Sequence, residues 1–231
     1  MIQTSNKVPR HLGIIMDGNR RFAKRLMLKP WLGHEWGAKK VEEVFNWCLE
    51  FNIKELTLFC LSIENLNRPK EEFDYLMNIF KKEFSSLLND ERIYKNQIKV
   101  NCIGRLWMLP EDLQKILNNL MEKTKDHKNY QVNFAIAYGG KQEIIDAIKK
   151  INENPNIKEI NEEVFSKNLN LNSDIDLIIR TGGEKRISNF LIWQGSYAEL
   201  IFIDKLWPEF SKEDFVECLN EYEKRERRFG K

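Results

Sequence analysis

Asp17, Gly18, Asn19, Arg20 and Arg21 stand together at the end of a short apolar run, Leu12 to Met16. A carboxylate, a glycine turn and two guanidinium groups at one point form a set that can handle phosphate. A planar guanidinium donates two parallel hydrogen bonds to a phosphate, and an ammonium does not. Asp17 repels the same anion unless a cation lies between them, so the set implies Mg²⁺, which takes one or two carboxylates together with phosphate oxygens. The bland alternative is an Asx turn flanked by solvated arginines, because these residues are common in turns.

A second set weighs against that alternative. The run Ile175 to Ile179, interrupted by Asp176, leads into Arg180, Thr181, Gly182, Gly183, Glu184, Lys185, Arg186, Ile187 and Ser188. Paired glycines let the backbone approach an anion, and their consecutive N–H groups can form an anion-binding concavity. Asn189 to Gly195 reads as a short helix whose N-terminus adds a favourable dipole. Two arginine-and-glycine clusters suggest two phosphorylated groups in one cleft. Neither is a P-loop or a dinucleotide fingerprint, since no Gly-Lys-Ser/Thr follows a four-residue spacer and no G-x-G-x-x-G occurs.

Strands must deliver these sets. Short apolar runs stopped by turn formers read as buried strands, and open parallel sheets bind ligands beyond the carboxyl ends of their strands. Further strands are expected near 55–61, 98–103, 131–137 and 199–203, and helices near 34–51, 70–92, 110–126, 140–152, 161–169 and 212–228. The alternation predicts an α/β fold: one domain over residues 1–231, with a mainly parallel six-stranded sheet flanked by helices on both faces. In the helix after Pro69, Phe73, Leu76, Met77, Phe80, Phe84, Leu87 and Leu88 make one apolar stripe. The stripe is either ordinary core or the wall of a tunnel for a hydrocarbon chain.

Composition excludes other classes. Across 231 residues, 37 Lys+Arg face 35 Asp+Glu, a net charge of +2 that is too balanced to argue for nucleic acid. Cys48, Cys60, Cys102 and Cys218 lack zinc or redox spacing and sit among apolar residues. With no signal peptide, this argues for a cytoplasmic setting. No apolar stretch approaches the roughly 20 residues that span a bilayer.

The chain resembles the cis-prenyltransferases of the undecaprenyl diphosphate synthase family. The segments that carry the resemblance are HLGIIMDGNRRFAK (11–24), GHEWGAKKV (33–41), TLFCLSIENLNRP (57–69), NFAIAYGGKQEI (133–144), DLIIRTGGEKRISNFLIWQGSYAELIF (176–202), LWPEF (206–210) and RERRFG (225–230). The resemblance implies stepwise condensation of isopentenyl diphosphate onto an allylic diphosphate primer, with Mg²⁺, to give a long Z-polyprenyl diphosphate, the precursor of a glycosyl carrier lipid. It places the primer head near Asp17, Gly18, Asn19, Arg20, Arg21 and His34, with backbone N–H groups after Asp17 and Arg21 dispersing charge on the leaving group. Isopentenyl diphosphate falls to Arg180, Arg186 and Ser188. Asp17 and Asn65 become the catalytic residues, with Asn65 orienting a diphosphate oxygen or a water, since a carboxamide is a feeble base. Phe22, Ser62, Ile63, Glu64, Leu66 and Arg68 join the substrate-binding set. Asp17 and Glu199 become the metal ligands, Glu199 with the option of acting across a subunit boundary; a salt bridge to Arg180 or Arg186 is its plainer reading. Arg228-Phe229-Gly230 implies a self-sufficient homodimer, and an oily product implies transient contact with a membrane surface.

The chain also departs from the bacterial pattern. Arg20 replaces Gly, Phe22 replaces Trp, Leu66 replaces an aromatic residue, and Pro30 stands where a phosphate-binding Arg is usual, with Lys29 beside it. DGNRR and SIEN look more like archaeal and eukaryotic members, which points weakly to a geranylgeranyl rather than a farnesyl primer. A trans-type synthase needs paired aspartates, and no two are adjacent here. A noncatalytic partner subunit typically lacks residues such as Asp17 and Asn65.

Overall fold

The computed structural model describes residues 8–225. Six strands, β1 (His11–Ile15), β2 (Glu55–Ser62), β3 (Ile98–Ile103), β4 (Tyr130–Tyr138), β5 (Leu177–Arg180) and β6 (Glu199–Phe202), form one sheet in the order β3-β4-β2-β1-β5-β6. Every pairing is parallel, so the expected sheet is present and wholly parallel. Such a sheet buries both faces, and its strands read as continuous apolar runs rather than alternations. Leu12 and Ile14 of β1 join Leu177 and Ile179 of β5 in the larger core cluster. Ile15 and Ile178 point to the opposite face and pack with Tyr138, Phe190 and Leu191.

Eight α-helices occur among the described residues: α1 (Asn19–Arg25), α2 (Gly33–Glu50), α3 (Lys70–Leu87), α4 (Glu91–Lys95), α5 (Glu111–Thr124), α6 (Gly140–Glu153), α7 (Glu162–Asn168) and α8 (Lys212–Lys224). Three expectations need correction. The helix expected over 70–92 is two helices, because Asp90 starts α4 by accepting the Arg92 N–H at 2.9 Å. The apolar spacing continues across the break, so periodicity alone does not reveal it. Asn19–Arg25 is a helix rather than a plain turn. Residues 189–195 are turns rather than a helix, since Ser188, Asn189 and Leu191 all have positive φ (49°, 65° and 41°).

The strand order positions the site. β1 has β2 on one side and β5 on the other, so the chain leaves the sheet in different directions at their carboxyl ends. Such a switch point opens a crevice for a ligand. Ile15 is in register with Phe59 and with Arg180, which brings Asp17, the loop after Ser62 and the loop after Arg180 to one edge.

Candidate active site

Asp17 is fixed by its backbone as well as its side chain. Its carbonyl accepts from Thr181 Oγ1 at 2.8 Å and from the Trp207 N–H at 2.9 Å. The Trp207 indole N–H also donates to Gly37 O at 2.9 Å, tying α2 to the same point. Gly18 follows at φ 114°, and a Cβ there would lie 2.8 Å from Leu206 Cβ, so only glycine fits this turn.

The Asp17 carboxylate lies between two arginines. Arg180 Nη2 donates to its Oδ2 at 2.9 Å, and Arg21 Nη2 lies 3.1 Å from its Oδ1. The Arg180 side chain is 5% exposed, whereas Arg21 is half exposed. Arg180 Nη1 also donates to Ser188 Oγ and to Arg186 O, both at 2.6 Å. Asp17, Arg21, Arg180 and Ser188 therefore form one connected group. The Arg186 guanidinium lies at the exposed rim, paired with Glu184.

The paired glycines do not form the expected anion concavity. Gly182 N–H donates to Lys205 O at 2.7 Å and Gly183 N–H to Ile203 O at 2.8 Å, so both donors are spent inside the protein. Gly182 instead makes room: it sits at φ 88°, and a Cβ would come within 2.5 Å of Arg21 Nη2.

A second group forms where α2 meets α3. Arg68 Nη1 lies 3.0 Å from Glu72 Oε1 and 3.3 Å from His34 Nε2, while Arg20 Nε stands 3.6 Å from Glu72. Glu72 is 1% exposed, and a buried carboxylate must be paired. The sequence reading passed over Glu72 because it sits within an apolar stripe; its place four residues after Arg68 was the available signal. Burial, then the charges of Arg68 and Arg20, push the His34 pKa down to about 4, so its ring is neutral at pH 7. Burial also lowers the Arg68 pKa, with Glu72 opposing and Arg20 adding to the shift.

The segment after β2 is a 3₁₀ turn, Ile63–Asn67, which carries Asn65 and Leu66 half-buried. Glu64 Oε1 accepts from Asn189 Nδ2 at 3.1 Å, joining this turn to the loop after Ser188. Burial pushes the Glu64 carboxyl up, but hydrogen bonds from its own N–H, Ser62 and Asn189, with the Lys141 charge, hold it below its ordinary range. Asn189 also donates to Gln142 Oε1 and accepts from the Lys141 N–H. Asn189 enters the sequence analysis only as the start of an expected helix, since nothing in the sequence marks a left-handed asparagine whose side chain joins two segments. Phe22 packs on Trp36, ring centroids 5.8 Å apart. Lys29 is exposed and engaged by Glu71 at 3.1 Å.

An apolar cavity of about 190 Å³ opens beside these groups. Met16, Asn19 and His34 line its head, and Leu76, Phe80, Phe84 and Leu87 of α3 line one wall. The stripe on α3 therefore divides: these four face the cavity, while Phe73, Met77 and Leu88 pack in or against the core. Along α2 the lining runs from His34 to Phe45, about 16 Å of helix.

Glu199 is not brought to Asp17 within one chain. It pairs with Leu177 at the amino end of the sheet, in register with Leu12, at least three residue rises or about 10 Å before the edge that carries Asp17. Its Oε2 accepts from Arg225 Nη1 at 2.9 Å, so its ion-pair partner is neither Arg180 nor Arg186. No group of three His, Cys, Asp or Glu that could hold a metal occurs among the described residues. Asp17, partly exposed and hard in its donor chemistry, fits a cation that arrives with its own phosphate oxygens. Arg228-Phe229-Gly230 lies outside the described residues. No described helix is long and apolar enough to cross a membrane.

Comparisons with known proteins agree with this geometry. A family model described as putative undecaprenyl diphosphate synthase matches residues 15–230. The tritrans,polycis-undecaprenyl-diphosphate synthase (geranylgeranyl-diphosphate specific) of Methanopyrus kandleri is 46% identical over 232 residues, covering 97% of this chain and 86% of that protein. The protein with the same description from Thermoplasma acidophilum is 49% identical over 230 residues, covering 96% and 89%. The crystal structure of lavandulyl diphosphate synthase from Lavandula x intermedia, in complex with dimethylallyl diphosphate, superposes with a TM-score of 0.91 at 34% identity, covering 97% of this chain and 99% of that one. With its parallel sheet, its arginine-flanked aspartate and its adjoining apolar cavity, the chain belongs to the undecaprenyl diphosphate synthase family of cis-prenyltransferases.

Proposed function

We propose that this cis-prenyltransferase extends a geranylgeranyl diphosphate primer with isopentenyl diphosphate to a long Z-polyprenyl diphosphate, the precursor of a glycosyl carrier lipid. The carrying observation is the adjacency of a phosphate-competent cluster, Asp17, Arg21 and Arg180, to an apolar cavity that begins at Met16 and His34. One end suits a diphosphate and the other a hydrocarbon. The archaeal relatives, described as geranylgeranyl-diphosphate specific, favour that primer over farnesyl diphosphate.

The primer's diphosphate takes its place at Arg21, with its tail in the cavity, and isopentenyl diphosphate is held by Arg180, Arg186 and Ser188. The C–O bond of the primer breaks with its electron pair leaving on diphosphate. The alkene pair of isopentenyl diphosphate forms the new C–C bond, and loss of a proton from that unit restores a double bond. The proton passes to a diphosphate oxygen or a water oriented by Asn65. Arg21 stabilises the charge that develops on the leaving group, which is where a preformed donor is most effective. Asp17 would hold Mg²⁺ together with the substrate's phosphate, and the ion would supply neutralisation of the charge on the leaving diphosphate. In a homodimer, Glu199 serves the neighbouring subunit's site, which fits its distance from Asp17 in its own chain. Holding both diphosphates supplies proximity, because the isoprenoid chains offer no other polar handle.

Labelled isopentenyl diphosphate supplied with Mg²⁺ and equal amounts of geranylgeranyl and farnesyl diphosphate tests this reading. Geranylgeranyl diphosphate is expected to be consumed preferentially and extended with Z double bonds. A farnesyl preference overturns the primer assignment. No incorporation by the folded protein overturns the enzyme reading in favour of a partner subunit.

A further inference from the structure

We propose that Arg92 is the distal stop of the hydrocarbon cavity and a determinant of product length, an inference that rests on the elongation reading above. The cavity follows α2 and α3 away from the diphosphate groups and ends near Phe45, Leu87 and Ile93. Its walls are mostly apolar over that course, with Glu83 and Ser86 the polar exceptions on α3, and Glu42, Asp90 and Arg92 line the far end together. Charged side chains at the end of a hydrocarbon channel need a physical account, because an apolar tip gains nothing by reaching them.

The Arg92 guanidinium, about one-third exposed, is held by three residues. Nε donates to Asp90 Oδ1 and Oδ2 at 3.0 and 3.1 Å, Nη2 lies 2.6 Å from Asp90 Oδ2 and 2.9 Å from Glu42 Oε1, and Nη1 donates to Asn46 Oδ1 at 3.0 Å. Its Cζ lies 5.9 Å from the Phe45 ring centroid. Glu42 and Asn46 stand one turn apart on α2, while Asp90 caps α4 and Arg92 lies in its first turn. The guanidinium therefore staples α2 to the start of α4 across the cavity's end. Asp90 is doubly held, since it also caps α4 through the Arg92 N–H.

A growing chain moves along the apolar wall as long as each added unit finds apolar surface. At Arg92 the next unit must part a multiply bonded charge from its partners and then enter a polar rim, so lengthening stops being favourable there. Glu42 is largely exposed and makes only the α2 side of the staple, whereas Arg92 makes both sides.

The test compares wild type, Arg92→Leu and Glu42→Ala. Each is given geranylgeranyl diphosphate, Mg²⁺ and excess labelled isopentenyl diphosphate, and product lengths are resolved by chromatography. The rate of the first condensation is measured separately with limiting isopentenyl diphosphate. Arg92→Leu is expected to shift the product distribution upward by one isoprene unit or more, with the first condensation within about twofold of wild type. Glu42→Ala is expected to shift it in the same direction by less. An unchanged distribution in folded variants, while wild type elongates, overturns the stop and leaves the elongation reading intact. If Arg92→Leu fails to fold, Glu42→Ala decides alone, since the substitution is at an exposed carboxylate. If wild type does not elongate, the elongation reading fails and the stop with it.

Discussion

The buried guanidinium of Arg180 donates to the carboxylate of Asp17 at 2.9 Å, so the cleft's central anion is held by a cation that solvent barely reaches. Arg21 approaches the same carboxylate from the exposed side at 3.1 Å. Asp17 thus links two arginines that the proposed reaction assigns to two different substrates.

Asp17→Ala removes that link and a carboxylate suited to a substrate-bound cation. Turnover is expected to fall by about 10²–10³-fold or more, while diphosphate binding is retained or tightened because an anion has gone. Leaving Arg180 without its carboxylate partner costs stability on the order of 1–3 kcal/mol. Denaturant unfolding and calorimetric titration with isopentenyl diphosphate measure the two effects. Loss of diphosphate affinity in the folded variant would contradict this role.

The two anion pockets are separable. Arg21→Ala is expected to raise KM for the primer more than for isopentenyl diphosphate, and Arg186→Ala to do the reverse, each by roughly tenfold for one charge-assisted contact. Equal effects of each variant on both substrates would refute the division.

His34 carries a pH signature. Its pKa is about 4 in the folded protein against an ordinary 6.5, mainly because it is buried and then because Arg68 and Arg20 are near. Between those values the unfolded chain binds a proton that the folded protein refuses, so His34 makes stability fall as pH drops from 6.5 towards 4, by on the order of 2–3 kcal/mol in total. Above pH 6.5 it has no effect. Denaturant midpoints of wild type and His34→Gln across this range should converge at low pH, the variant lacking the His34 contribution to the slope. Identical slopes would show that His34 titrates normally.

Asn189 couples the 3₁₀ turn after β2 to the start of α6 through Glu64 and Gln142. Asn189→Gly keeps the left-handed backbone and loses only the side-chain bonds, whereas Asn189→Ala adds backbone strain at φ 65°. Asn189→Gly is expected to raise KM for isopentenyl diphosphate several-fold with the unfolding midpoint nearly unchanged, and Asn189→Ala to lower stability by about 1 kcal/mol more. Unchanged kinetics in Asn189→Gly would make the coupling structural only.

Much of this architecture was legible in the sequence because a parallel sheet writes itself as short apolar runs. Leu12–Met16 and Ile175–Ile179 marked the two strands that deliver Asp17 and Arg180. The break before α4 was not legible, because Leu87, Leu88 and Ile93 continue the apolar spacing across it. The Gly182-Gly183 pair was misread for a different reason: glycine pairs mark close approach, but composition does not say whether an anion or a side chain such as Arg21 approaches. Glu72 and Asn189 were missed because each is one polar residue whose importance lies in partners far along the chain. Glu199 shows the limit in the other direction, since a motif suggests a ligand without placing it, and within the chain Glu199 pairs with Arg225 away from Asp17.

On the proposed reading, the arginine-flanked Asp17 and the apolar cavity are two ends of one site. A crystal structure with the thiolodiphosphate analogue of geranylgeranyl diphosphate, which resists loss of its diphosphate, decides whether they are. The diphosphate is expected within hydrogen-bonding reach of Arg21 and the tail between α2 and α3, passing His34 towards Phe45. A tail lying outside that cavity, or a diphosphate bound away from Arg21, would contradict it.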